Sequence, residues 1–281
     1  MSKVLKIKKA PRKRRLRKKG GPKSRKSLRS RLRINIKDPF GNVLVLKRAL
    51  TGLIGLATYP GFNIVNKTKV EGANYLLKLP KTNVLFISNH QTYYADVIVL
   101  YHIFCSVKWR FKNINFPFYL LVPRVNSYYI AAEETMKESG LLPRIFSYAG
   151  AVTVKRSWRY KGEQVKRGAD FKAPEKIEKA LDFGWVITFP QGTTSPKAPI
   201  QKGSASIIKA FNPLVVPVEI DGFRKAFGKR GLQLREKGVQ LSVKFKEPKR
   251  FSEDATIAEI HEYLEHHLIG PCANENTKTN E

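Results

Sequence analysis

Residues 84–96, VLFISNHQTYYAD, form the stretch that decides the fold of this chain. Its first four residues are all apolar, which is typical of a strand that has no face to solvent. His90 follows two polar residues later, and a second apolar run begins at Val97. This order predicts a buried strand, a loop that carries His90, and then a helix. Open α/β sheets bind their ligands at the carboxyl ends of such strands.

His90 is followed six residues later by Asp96. An imidazole titrates near neutral pH, and a carboxylate on its second nitrogen fixes the tautomer and stabilises the charged form. The pair therefore predicts a general base, His90, oriented by Asp96. The competing interpretation is a histidine that only fills a turn, which is the more frequent situation for a histidine considered alone.

A second stretch of the same kind is formed by residues 185–195, WVITFPQGTTS. An apolar run predicts another buried strand, and it leads into a Pro-Gln-Gly turn that is rich in hydroxyl groups. Two loops at the ends of neighbouring strands can converge on one site, so we expect this turn to lie near His90.

The rest of the chain predicts alternating strands and helices. Residues 174–181 form a helix that precedes the second strand, and residues 257–268 have apolar positions at helical spacing. Residues 239–245 alternate between apolar and polar, which predicts a half-exposed strand at the edge of the sheet. The predicted fold class is α/β, with a single mixed β-sheet flanked by helices, in one domain over residues 38–281.

Charge is concentrated at the start of the chain. The formal net charge is +31, and residues 1–37 contain many Lys and Arg residues and no Asp or Glu. Such a segment has too little apolar surface to fold alone, so we interpret residues 1–37 as a disordered basic arm. The charge calls for a polyanionic partner, either an anionic membrane surface or nucleic acid. The arm lacks the interleaved aromatic residues that stack on bases, which disfavours nucleic acid.

Residues 43–57 are apolar but are divided by Lys47 and Arg48. The uninterrupted part is shorter than the roughly 18 to 20 residues that span a bilayer. We therefore predict a helix that lies in the membrane interface with its cations toward lipid phosphates; a plain core helix is the alternative. Only two cysteines occur, and the N-terminus lacks the features of a secretory signal. These features predict a peripheral or monotopic protein on the cytoplasmic face of a membrane.

Taken together and in this order, the motifs resemble those of the glycerolipid acyltransferase superfamily, which includes lysophosphatidate and glycerol-3-phosphate acyltransferases. Four motifs match. The first is an Asn-His pair followed by an Asp, here Asn89, His90 and Asp96, and the second is a Gly followed by an Arg, here Gly150 and Arg156. The third is a Phe-Pro-x-Gly-Thr block at residues 189–193, and the fourth is a Val-Pro-Val block at residues 216–218. Most of the predicted domain is covered by the resemblance.

The resemblance implies transfer of a fatty acyl group from an acyl-CoA or an acyl-carrier protein to the hydroxyl of a lysophospholipid, above all 1-acyl-glycerol-3-phosphate, in phospholipid biosynthesis. The thioester is a co-substrate, and no other cofactor is implied. His90 and Asp96 would be catalytic. Residues Arg156, Gln191, Gly192, Thr193 and Lys202 would bind the acceptor, and backbone donors near Gly192 would stabilise the oxyanion.

Two departures from the family pattern affect these expectations. Five residues separate His90 from Asp96, where the family has four, and Gln191 and Thr194 replace the family's Glu and Arg. Because Arg binds phosphate as a bidentate fork, its loss alters what the site can recognise. Acylation of an N-acyl amino-acid lipid therefore remains an alternative, as does a basic nucleic-acid-binding protein that is not an enzyme. No metal site is predicted, because His261 and His266 are five residues apart rather than four.

Overall fold

The apolar run at the start of the decisive stretch forms a strand, β2 (Val84–Ser88), in which every residue is buried. It lies in a computed structural model that describes residues 36–268 apart from 138–139, 156–158, 161–162, 165–169, 197 and 230–231. The basic arm predicted for residues 1–37 therefore lies outside the described residues except for its last two positions.

Strands and helices alternate along most of the described chain. The strands are β1 (Lys67–Glu71), β2, β3 (Ser127–Ala132), β4 (Ala151–Val154), β5 (Arg159–Tyr160), β6 (Glu163–Gln164), β7 (Trp185–Thr188), β8 (Leu214–Asp221) and β9 (Gln240–Phe245). The helices are α1 (Leu44–Tyr59), α2 (Ala73–Leu76), α3 (Ala95–Lys108), α4 (Glu133–Met136), α5 (Leu141–Tyr148), α6 (Ala173–Phe183), α7 (Lys202–Phe211), α8 (Phe223–Ala226) and α9 (Ile257–Leu268). A π-helical turn, Pro60–Ile64, and a 3-10 turn, Pro117–Leu120, complete the set.

Seven of these strands form one mixed sheet in the order β1-β9-β8-β2-β7-β3-β4. Strand β2 lies between β7 and β8 and is parallel to both. Strand β9 runs antiparallel to β8 and parallel to β1. The predicted fold class, a mixed sheet flanked by helices, is confirmed.

Helices cover both faces of the sheet. Alternate residues of β2 enter two separate apolar cores, Val84 and Phe86 on the side of α3, and Leu85 and Ile87 on the side of α6, α7 and α9. A strand with both faces covered must be apolar throughout, which explains the uninterrupted run in the sequence.

The prediction that residues 239–245 form an edge strand is wrong. Strand β9 lies between β1 and β8, and the edges of the sheet are β1 and β4. Its alternation is nevertheless real, since Leu241, Val243 and Phe245 are buried whereas Gln240 and Lys244 are exposed. Alternation of apolar and polar residues indicates that one face of a strand is covered. It does not report how many strands pair with the segment.

Helix α1 packs closely against the 3-10 turn through two glycines. A Cβ atom at Gly52 would lie 2.6 Å from the carbonyl oxygen of Leu120, and one at Gly55 would overlap the Leu120 side chain. Larger residues at these positions would push the helix away from the turn. No helix in the part of the chain described here has the length and apolar character required to cross a bilayer.

The cations of α1 do not point away from the protein, which corrects the expectation that they face lipid phosphates. Lys47 is buried, with its Nζ 3.8 Å from Asp38 Oδ2 and 3.5 Å from the centre of the Tyr128 ring. Burial lowers the pKa of Lys47 from 10.5 to about 8, against the opposing effect of the Asp38 carboxylate. Arg48 donates from Nη2 to the side-chain oxygen of Asn126 at 3.2 Å.

Candidate active site

The candidate site lies at the carboxyl end of β2, where His90 follows the strand by two residues. Its side chain is partly exposed, at 14%, whereas that of Asp96 is completely buried. Asp96 occupies the first turn of α3. His90 Nδ1 lies 2.8 Å from Asp96 Oδ2. Because Asp96 Oδ2 also accepts from two backbone N–H groups, we assign Nδ1 as the donor in this pair, which leaves Nε2 as the ring nitrogen available to a substrate.

The backbone of the loop also bonds the Asp96 carboxylate. Oδ2 accepts from the N–H groups of Gln91 at 2.6 Å and Thr92 at 2.9 Å, and Oδ1 accepts from the Thr92 hydroxyl at 2.7 Å. The loop therefore folds back around the carboxylate before α3 begins. This path accommodates the additional residue between His90 and Asp96 without loss of their contact.

The second predicted loop lies against the histidine. The rings of His90 and Phe189 are stacked, with centres 4.0 Å apart and planes inclined by 20°. Phe189 comes directly after β7, which pairs with β2 in parallel. Both loops therefore follow the carboxyl ends of neighbouring strands. The two sequence motifs thus meet at one site.

The amide nitrogen of Gln191, a predicted acceptor-binding residue, is engaged within its own loop. The residue is buried, and its Nε2 donates to the carbonyl oxygens of Ala198 at 3.0 Å and Pro196 at 3.4 Å. These bonds shape the loop from within, because buried carbonyl groups require donors.

Gly192 closes the turn of this loop. It has a φ of +62°, a left-handed conformation that favours glycine, and its N–H donates to the Phe189 carbonyl at 2.9 Å. The N–H of Gly192 itself is therefore engaged within the turn, and stabilisation of an oxyanion by backbone donors near Gly192 stays a prediction.

The remaining predicted acceptor residues are distributed around this loop or beyond it. Lys202 is the first residue of α7 and is exposed, and the preceding Gln201 donates from its backbone to Pro190 at 2.9 Å. Thr193 Oγ1 accepts from the Ser195 N–H at 3.4 Å. Arg156 lies outside the described residues.

Two side chains that the sequence analysis did not assign hold the His90 loop to the end of β8. Asn89 bonds both the N–H and the carbonyl of Ile220 at 2.8 Å. Gln91 Nε2 donates to the Ile220 carbonyl at 3.2 Å and to Asp221 Oδ1 at 3.1 Å, and its Oε1 accepts from the Arg224 N–H at 3.1 Å. Both flank His90 in the motif, but their partners are about 130 residues away and have no sequence signal of their own.

A second histidine, His102 in α3, is not a candidate for the base. His102 is buried, with Nε2 3.1 Å from the Thr58 hydroxyl and Nδ1 3.0 Å from the Tyr119 hydroxyl. Burial lowers the pKa of His102 from 6.5 to about 3, so it is neutral at physiological pH. Its contacts join α1 to α3 and are structural.

Comparison with known proteins identifies the family of the chain. No curated protein sequence gives a significant match to the chain. Among solved structures, the chain is similar to the 1-acyl-sn-glycerophosphate (LPA) acyltransferase PlsC from Thermotoga maritima, with 20% identity over 81% of this chain and 77% of that chain and a TM-score of 0.47. The sequence model of the Acyltransferase family matches residues 67–221, more than half of the chain, including β2, the His90 loop, β7 and β8. The chain therefore belongs to the acyltransferase family.

Proposed function

We propose that this acyltransferase moves a fatty acyl group from an acyl thioester, acyl-CoA or acyl-carrier protein, to the hydroxyl of a lysophospholipid, with 1-acyl-glycerol-3-phosphate as the principal acceptor. The observation that carries the proposal is the contact between His90 Nδ1 and the buried Asp96 carboxylate at the carboxyl end of β2. Family membership supplies the reaction type.

In this mechanism, the chemistry needs only a positioned base. Nε2 of His90 takes the proton of the acceptor hydroxyl as its oxygen attacks the thioester carbonyl. The new ester bond forms, the C–S bond breaks, and the proton passes from His90 to the departing thiolate. Asp96 holds the ring in the tautomer that leaves Nε2 free of a proton and stabilises the imidazolium that forms.

The central test is acyl transfer by purified full-length His90→Ala, measured with a radiolabelled acyl thioester and lysophosphatidate. We expect turnover to fall by about 10²- to 10⁴-fold, the usual contribution of a positioned base, with an unchanged circular dichroism spectrum. His261→Ala is a matched control, because His261 also lies beside a carboxylate, Glu265 at 3.3 Å, and its side chain is 16% exposed. Normal turnover in folded His90→Ala would refute the assignment.

An N-acyl amino-acid lipid is the second acceptor class to test in the same assay. Thr194 has no charge, and the Gln191 amide is engaged within its own loop, so this loop offers no side-chain cation to a phosphate at those two positions. An N-acyl amino-acid lipid that presents a hydroxyl is therefore the alternative acceptor. Higher kcat/KM for that lipid than for lysophosphatidate would favour it.

We also propose that the protein rests on an anionic membrane through an exposed apolar surface, here called the α1 face. It consists of side chains on α1 and on residues 116–122, which include the 3-10 turn, each at least 41% exposed: Val45, Leu46, Leu53, Leu56, Phe116, Phe118, Leu121 and Val122. Contiguous apolar surface of this kind marks a binding site. A membrane is the occupant that suits it, because both the acyl donor and the lyso-lipid carry long apolar chains, and because the net charge of +31 favours anionic lipid.

A further inference from the structure

Arg224 joins the two loops of the candidate site. It is the second residue of α8, directly after β8 reaches the sheet edge. Its backbone N–H donates to Gln91 Oε1 at 3.1 Å, and its guanidinium Nη2 donates to the Thr194 carbonyl at 2.6 Å. One contact is to the His90 loop and the other to the loop after β7. Arg224 therefore connects the His90 loop, through its backbone, to the loop after β7, through its side chain.

The guanidinium has capacity for a further ligand. Arg carries five N–H donors, and the carbonyl of Thr194 uses one of them. Among the ion pairs of the described residues, none includes Arg224, whereas its neighbour Lys225 pairs with Glu236 at 3.0 Å. Asp221, three residues before Arg224, accepts a hydrogen bond from Gln91 Nε2. An exposed cation at an active-site edge without a carboxylate partner suits an anionic substrate group.

The position of this cation matters because of what the acceptor loop lacks. The family pattern places an Arg at the position of Thr194, and here the guanidinium of Arg224 reaches the backbone of that same residue. We propose that Arg224 is the specificity-determining residue that binds the anionic head group of the acceptor, supplying from the end of β8 the guanidinium that the loop after β7 does not carry. This inference rests on the proposed acyl transfer to a phosphate-bearing acceptor.

The test compares anionic and neutral acceptors in Arg224→Gln. We expect KM for lysophosphatidate to rise by about 10- to 100-fold, as expected for loss of a hydrogen bond to a charged group, with little change in kcat. KM for a monoacylglycerol of the same chain length should stay unchanged. Arg224→Lys keeps the charge but loses the fork, so its KM for lysophosphatidate should lie between those of the wild type and Arg224→Gln. Lys225→Gln removes the same charge one residue away and should leave both KM values as they are.

Two results would overturn the inference. One is an equal loss with both acceptors, which would show that Arg224 only holds the loops together. The other is an unchanged KM for lysophosphatidate in Arg224→Gln.

Calorimetric titration with a short-chain lysophosphatidate separates this inference from the proposed reaction. If wild-type protein binds the lipid and Arg224→Gln does not, the binding role stands even where no acyl transfer to any acceptor is detected. Equal binding by the two proteins would refute the binding role whatever the outcome of the transfer assay.

Discussion

At the scale of single residues, the site depends on one oxygen atom. Asp96 Oδ2 accepts from His90 Nδ1 and from the backbone N–H groups of Gln91 and Thr92. Two of these three donors belong to the main chain, so the path of the loop fixes the carboxylate and the carboxylate fixes the imidazole. The orientation of His90 is thereby set by backbone geometry rather than by side-chain packing alone.

Asp96→Asn tests whether the charge of this group matters beyond its geometry. The amide oxygen can replace Oδ2, and the new NH₂ group can donate to the Thr92 hydroxyl, which can act as donor or acceptor. We expect turnover to fall by about 10²- to 10⁴-fold, because the imidazolium loses its counter-charge. Steady-state kinetics with a thermal unfolding curve would measure this.

Asp221→Asn is the matched control for that experiment. Asp221 is an exposed carboxylate bonded to Gln91 Nε2, so its removal changes charge beside the same loop but not on the histidine. We expect nearly normal turnover. Equal losses in the two variants would contradict a special role for Asp96.

At the scale of elements, α1 is held by close contact on one side and is open on the other. Gly52 and Gly55 allow close contact with the 3-10 turn, and Thr51 and Lys47 are also buried. Val45, Leu46 and Leu53 face outward, each at least 65% exposed. The helix therefore has two sides with different partners: a closely packed side that contacts the protein and an apolar side that, as proposed, contacts the membrane.

Gly52→Ala should destabilise the protein even though alanine favours helices by roughly 1 kcal/mol relative to glycine. Its Cβ would lie 2.6 Å from a backbone oxygen, which cannot move aside as a flexible side chain can. We expect a net loss of about 1 to 3 kcal/mol in the free energy of unfolding, measured by urea denaturation. Gly203→Ala in α7 meets nothing within 4 Å and should be neutral or stabilising. The reverse order of the two variants would exclude close packing as the reason for glycine at position 52.

At the scale of the whole molecule, the question is where the proposed membrane surface lies relative to His90 and the two faces of the sheet. The α1 face lies on the side of the sheet covered by α3, and α6, α7 and α9 cover the other side. His90 lies at the edge between these two sides. A protein resting on its α1 face would thus keep the α6 side toward water.

Vesicle co-sedimentation of Phe118→Ser tests this arrangement. We expect binding to anionic vesicles to weaken by about 10- to 100-fold, because a Phe side chain that enters the membrane contributes on the order of 1.5 to 3 kcal/mol. Phe171→Ser is the matched control, since Phe171 is 84% exposed but precedes α6 on the opposite side. Equal losses in the two variants would refute the α1 face as the docking surface. Deleting residues 1–35 separates the contribution of the arm, which should fade as salt rises.

Much of the fold followed from local pattern, and the errors arose where partners are distant in sequence. The runs at β2 and β7 are apolar because both sheet faces are covered, and such runs are visible without knowing what covers them. The neighbours of β9 are set by pairing across the chain, so its position inside the sheet was not predictable from alternation. The burial of Lys47 depends on Tyr128, 81 residues away.

The candidate site shows the same division. The contact between His90 and Asp96 is local and was expected from the motif, although five residues rather than four separate the two. Arg224 was not identified, because its importance arises only where β8 ends beside the two loops. The inward orientation of Gln191 also depends on carbonyl groups whose placement the sequence does not reveal.

The buried pair of Lys47 and Asp38 has a mechanical consequence. Asp38 also accepts from the backbone N–H groups of Phe40 and Asn42, both at 2.9 Å, and Leu44 N–H donates to the Ile36 carbonyl at 2.9 Å. The chain before Ile36 is thus joined to a knot of short-range bonds under the first turn of α1. A pull on the chain at Ile36 would therefore act first on these bonds at the first turn of α1.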